Sequence, residues 1–188
     1  MRENILNFLL FVFFCIAGIG LMRWMNQRRR LFLEGYAIKK GYKYYAYDTE
    51  ALMLKLKNFS LFTKGYSRHI SNVIKIEARA FNLYEFDYAH DTYTPGTHYD
   101  LRKRFTSSQT VFLIEAVDFE FALLKDVICK QFSRDELKKI EFSGNTALIY
   151  SPEIKCRSDE IPTLIENTYN LLKHHTEISL PDDADGVI

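Results

Sequence analysis

Five residues between Asp87 and Asp100 carry the side chains best suited to chemistry: Asp87, His90, Asp91, His98 and Asp100. Imidazole nitrogens and carboxylate oxygens together are ligands for a divalent metal. A hairpin turning at Pro95-Gly96 would bring His90 and His98 near each other. A metal held by His90, His98, Asp91 and Asp100 would make a metal-dependent hydrolase. The spacing matches no specific metal motif, and no glutamate is placed as a general base. A solvated hairpin loop has the same composition and is the simpler reading.

The other reactive side chains point to no site. His174 and His175 are adjacent, so on a helix they diverge, and they suit the negative end of the helix dipole. Ser107, Ser108, Ser133 and Ser151 lack a nucleophile elbow. Cys129, beside Val127 and Ile128, reads as a small core residue, and Cys156 has no histidine assigned to it. There is no G-x-G-x-x-G and no G-x-x-x-x-G-K-[ST]. No catalytic residue and no cofactor is assigned, and the chain reads as a binding protein before an enzyme.

The element that must position everything else lies at the N-terminus. Ile5 to Met22 holds one polar residue, Asn7, and no charge. Some eighteen helical residues cover roughly 27 Å, close to the ~30 Å of a bilayer's hydrocarbon. Arg23 can snorkel and Trp24 suits the headgroup boundary. Arg28, Arg29 and Arg30 follow, and with Arg23 they outweigh Arg2 and the amino terminus. The positive-inside rule therefore places the rest of the chain in the cytoplasm. These five residues, Arg23, Trp24, Arg28, Arg29 and Arg30, form the expected membrane interface. The alternative is an exported protein cleaved near Gly20. Against it stand the length of the apolar run, the offset of Arg2 by Glu3, and the positive cluster after the run.

The 188 residues carry a formal net charge of +1, which argues against a nucleic-acid binder. The arginine triplet reads as a topology signal and a contact to anionic lipid. Three cysteines without motif spacing make no disulfide framework, in keeping with a reducing compartment. Asn58-Phe59-Ser60 is a glycosylation sequon by chance.

Beyond the anchor, Leu31 to Lys40 continues the helix to a stop at Gly41. Asp48 or Thr49 caps a helix that presents Leu52, Met53, Leu56 and Phe59 and ends at Lys64-Gly65. The alternation Leu52, Leu54, Leu56 fits a strand almost as well. Ser71 to Ala80 and Phe81 to His90 alternate as strands, with Phe81, Leu83 and Glu85 opposite Asn82, Tyr84 and Phe86. Ser108 to Ala116 reads as a central strand, broken at Asp118, and the set as an antiparallel meander. Leu123 to Phe132 has helical spacing, and Ser133 to Glu136 forms a capping box for a short helix. Gly144-Asn145 joins Ile140–Ser143 to Thr146–Tyr150 as a hairpin. The last helix is capped by Ser158, carries Pro162 in its first turn, and buries Ile161, Leu164, Ile165, Thr168, Leu171 and Leu172.

Several of these pieces carry a resemblance. They are Phe59-Ser60-Leu61-Phe62, Gly65, Asn72, Phe86-Asp87-Tyr88, Thr110-Val111, Ile140-Glu141-Phe142 and Ala147-Leu148-Ile149-Tyr150. In these the chain resembles an uncharacterised family of small bacterial single-pass membrane-anchored proteins with a cytoplasmic α+β domain. The resemblance implies one such domain on an anchor in a bacterial inner membrane, and no activity or catalytic residue.

The expected class is therefore α+β, an antiparallel sheet packed with helices and preceded by one N-terminal transmembrane helix. Residues 1–30 form the anchor with its basic flank, 31–178 the cytoplasmic domain, and 179–188 a disordered acidic tail. The expected role is a membrane-tethered binding or scaffolding module. Its partners are membrane lipid through the helix and an unidentified protein, with no nucleic acid.

Overall fold

The computed structural model describes residues 2–93, 104–117, 121–132 and 138–179. The turn at Pro95-Gly96, the break at Asp118, the capping box at Ser133 to Glu136 and the acidic tail from Pro181 lie outside these residues, as do His98 and Asp100.

Helix α1 (Arg2–Lys40) is a single unbroken rod, about 58 Å long at ~1.5 Å per residue. Its first half presents Phe8, Phe11, Phe14, Ile19 and Met22 outward on every side. It is long and apolar enough to cross a membrane. Its last turns differ: Leu33 and Ala37 are fully buried against the sheet. The helix crosses 30 and 31 without interruption, so the expected boundary falls inside one element. It ends as expected at Gly41: Tyr42 N–H donates to Ala37 at 2.9 Å and Gly41 N–H to Ile38 at 3.1 Å, the paired bonds of a Schellman end.

Six strands form one antiparallel sheet: β1 (Lys43–Tyr47), β2 (Tyr66–Glu77), β3 (Phe81–Tyr93), β4 (Arg104–Ala116), β5 (Lys139–Ser143) and β6 (Thr146–Tyr150). Their spatial order is β1-β2-β3-β4-β6-β5. β5 therefore runs parallel to β4 without touching it, and helix α4 (Phe121–Phe132) provides the crossover such a pair needs. The hairpin at Gly144-Asn145 is present, with Ser143 opposite Thr146. Gly144 has φ +59 and Asn145 does not share that sign, as a type II′ turn requires.

The strands alternate faces, and both faces are covered. On one, Phe81 and Leu83 of β3 meet Ile74, Ile114 and Ile149 beneath α1, α4 and helix α5 (Ile161–Ser179). On the other, Tyr84, Phe86 and Tyr88 meet Val73, Val111 and Leu148 beneath Leu52, Leu56, Leu61 and Phe62. Of the expected α5 stripe, Ile161, Ile165, Thr168 and Leu172 are buried, while Leu164 and Leu171 are half-buried. Ser158 does not cap α5. Its hydroxyl faces Arg29 at 3.4 Å, and the Glu160 carboxylate accepts the Arg157 N–H at 3.1 Å.

Two expected elements need correction. The helix from Asp48 to Lys64 is two single turns, α2 (Leu52–Lys55) and α3 (Ser60–Thr63). Asp48 does hold the first, accepting the N–H groups of Leu52 at 2.8 Å and Met53 at 2.9 Å. Phe59 then takes extended backbone, φ −83 and ψ 141, which breaks the helix and drives its ring into the core. β2 begins at Tyr66, five residues before Ser71. Register shifts at 66–69 and 71–74, with Ser67 and Asn72 at positive φ, scramble its alternation, so the pattern starts only after the second bulge.

The Gly144 turn yields a stability prediction. Gly144→Val places a β-branched residue at positive φ and should destabilise the domain by roughly 1 kcal/mol or more. Urea unfolding followed by circular dichroism measures it, and an unchanged midpoint would remove the turn from the account.

Candidate functional site

The site is built where α1 leaves its apolar stretch and meets the sheet. Arg29, Leu33 and Ala37 recur every fourth residue, so they share the helix face that lies on the sheet. β3 supplies Glu85 and Asp87 from the same face as Phe81 and Leu83. Two charged positions on an apolar strand face, under an arginine on the covering helix, fix the chemistry.

Arg29 grips Asp87 with two parallel bonds. Nε donates to Oδ2 at 2.8 Å and Nη2 to Oδ1 at 2.7 Å. Such a fork is strong and geometrically specific. Asp87 is also reached by Asn72 Nδ2 at 2.9 Å, Lys155 Nζ at 3.2 Å and Thr110 Oγ1 at 3.4 Å. Asn72 is aimed by the β2 bulge, where its backbone has φ +54, and its Oδ1 accepts from Tyr44 Oη at 2.8 Å. The second Arg29 arm, Nη1, donates to the Cys156 carbonyl at 2.6 Å. One ion pair thus joins α1, β2, β3, β4 and the segment 151–160. Arg29 keeps only 9 % of its surface exposed. Burial opposes ionisation of Asp87, but the hydrogen bonds and charge of Arg29, with Lys155 and Asn72, outweigh it and hold the carboxyl below its usual range.

Glu85 lies two residues along the same face, 1 % exposed, opposite Ile74 and Phe112. Neither of its carboxyl oxygens makes a hydrogen bond. Burial, and then the negative charge of Asp87, push its pKa well above the ordinary 4.5 despite the opposing charges of Arg29 and Lys155. The two carboxyl groups are driven apart: its cage favours the ionised form of Asp87, and its apolar wall favours the protonated form of Glu85.

The sequence-predicted metal residues do not converge among the described residues. Asp87 is enclosed by Arg29. Asp91 accepts from Thr106 Oγ1 at 2.7 Å. His90, the next residue to Asp91, points to the opposite sheet face and stacks on Tyr88 with centroids 5.4 Å apart. A Cβ at Gly65 would stand 2.5 Å from the His90 ring and 2.5 Å from the Asp91 carbonyl, so Gly65, at φ +66, exists to let that ring pack. Burial, helped by the charge of Arg68, lowers the His90 pKa from its ordinary 6.5. Among the described residues no group of three or more histidine, cysteine or acidic side chains is placed to hold a metal ion. His98 and Asp100 lie outside those residues.

The residues expected at a membrane interface separate. Arg23, Trp24, Arg28 and Arg30 are exposed, and the Arg28 guanidinium lies over the Trp24 ring at 5.1 Å. Arg29 is the exception: it serves the domain. His174 and His175 are exposed at the end of α5, and the three cysteines are free.

No protein-family model, curated protein or solved structure matches the chain. Its class is defined by its own architecture: an α+β domain on a six-stranded antiparallel sheet, carried by an N-terminal helix long and apolar enough to cross a membrane.

The Glu85–Asp87 pair gives a pH prediction. Unfolded, Glu85 loses its proton near 4.5, while folded it keeps it to higher pH. Its linkage therefore lowers stability as pH rises above 4.5, by up to about 1.4 kcal/mol per unit until the folded group ionises. Asp87 acts oppositely and lower, losing stability as pH falls below its ordinary 3.8. Glu85→Gln should flatten the decline between pH 5 and 7 when urea midpoints are compared. Parallel curves for parent and variant would show that Glu85 does not retain its proton.

Proposed function

We propose that this protein is a single-pass, membrane-tethered binding or scaffolding module of the bacterial inner membrane, its domain on the cytoplasmic side. The observation that carries the reading is the continuity of α1. The helix that presents an apolar surface all round from Phe8 to Met22 also buries Arg29, Leu33 and Ala37 in the domain. A flexible linker would let the domain wander. A continuous helix locked by a buried fork holds it at fixed height and orientation, and it confines the encounter with membrane partners to a thin layer, raising their effective concentration. The partner is a protein met at that surface.

Cytoplasmic placement is supported by Arg23, Arg28 and Arg30, the exposed cations that flank the apolar run on its domain side. Arg29 is set apart because its loss would also break the fork. An alkaline phosphatase fused after Ile188 should be inactive and a cytoplasmic reporter at the same position active. Neutralising Arg23, Arg28 and Arg30 together should raise the inverted fraction. Phosphatase activity from the parent fusion would overturn the orientation.

A further inference from the structure

Beside the Arg29 fork, α1 and the segment 155–159 enclose an open cleft of about 770 Å³. Its walls combine Trp24, Met25 and Phe32 with the cations Arg28, Arg29, Lys155 and Arg157. The position matters first. The cleft begins at Trp24, two residues after the apolar run ends, which is headgroup depth if α1 spans the bilayer. The charge balance matters second. Arg29 and Lys155 share one ionised carboxylate, Asp87, and Glu85 adds no compensating charge while protonated. Arg157 meets Asp159 at 3.0 Å, an exposed pair that solvent screens. Arg28 makes no ion pair among the described residues and leans on Trp24. Four cations thus face two carboxylates. The mixed lining matters third. A soluble anion has no use for Trp24, Met25 and Phe32, whereas a phospholipid brings glycerol and the head of its acyl chains beside its phosphate.

We propose that this cleft binds the phosphate of an anionic phospholipid headgroup, with Arg28 and Arg157 as its exposed cations, Arg29 and Lys155 as a fixed positive wall, and Trp24, Met25 and Phe32 against the lipid's apolar part. The proposal rests on the membrane reading above. It adds that the domain's seat on the bilayer is selective for acidic lipid, not passive.

Trp24 is the chain's one tryptophan, so its emission reports the cleft directly. The test uses the full chain in neutral detergent micelles, titrated with phosphatidylglycerol, phosphatidylcholine or inorganic phosphate. The expected result is a saturable change with phosphatidylglycerol and little change with the other two. Arg28→Gln with Arg157→Gln should weaken phosphatidylglycerol binding by roughly five-fold or more. It should leave the circular dichroism and melting midpoint unaltered, because neither residue belongs to the Arg29–Asp87 fork. Arg23→Gln with Arg30→Gln removes the same charge outside the cleft and should weaken binding clearly less than the cleft pair does. Equal response to phosphatidylcholine, or equal loss in both double variants, would overturn the site and leave only diffuse attraction of positive charge. A response to inorganic phosphate as strong as to the lipid would reassign the cleft to a soluble phosphate ligand. Failure of the membrane reading is separately visible, as recovery of the native chain in the soluble fraction of lysed cells.

Discussion

The structure depends on an arginine that is spent inside the protein. Taking a guanidinium and a carboxylate out of water costs several kcal/mol for each ion, and the return is secure only when geometry is good and the remaining lone pairs are filled. Both conditions hold at Arg29 and Asp87. The fork is bidentate at 2.8 and 2.7 Å, and Asn72, Lys155 and Thr110 occupy what is left of the carboxylate. Lys155 cannot replace the arginine, because it is partly exposed and offers a point charge without the planar fork. The β2 bulge gains a purpose from the same pair, since it turns Asn72 toward Asp87. The segment 151–160 likewise has the Cys156 carbonyl and Ser158 hydroxyl to hold it against α1.

The neighbouring carboxyl groups show how environment divides identical chemistry. Glu85 and Asp87 share a strand, a face and near-complete burial. Asp87 has cationic donors within bonding distance, which lower its pKa, while Glu85 has none and its pKa is raised. A buried acid without a hydrogen-bond partner costs on the order of 1–3 kcal/mol. Its raised pKa also works against negative charge behind the cleft beside α1.

Much of this was legible in the residues. The apolar run, the stop at Gly41, the strand alternation from Phe81, the Gly144-Asn145 turn and the α5 stripe all express local rules. What was not legible depended on distance along the chain. Asp87 read as part of a loop cluster because its partner lies fifty-eight residues away on α1. Arg29 read as a topology signal because a triplet after an apolar run has that explanation ready. A signal for both did exist: Arg29 lies in step with Leu33 and Ala37 at every fourth position, and Glu85 and Asp87 stand on the apolar side of an alternating strand. Phe59 and the β2 bulges were hidden for a different reason. Each is a backbone departure imposed by tertiary packing, which propensity does not register.

The central claim is that Arg29 and Asp87 hold helix and domain together as one body, and a double-mutant cycle tests it most directly. Urea unfolding of the full chain in detergent micelles would be compared for the parent, Arg29→Met, Asp87→Asn and the combined variant. Removing Arg29 alone leaves a buried carboxylate without its fork and should cost about 3–5 kcal/mol, while the combined variant should recover part of that loss. A cost for Arg29→Met within about 0.5 kcal/mol, with no coupling between the two sites, is what a surface arginine would give and would contradict the account.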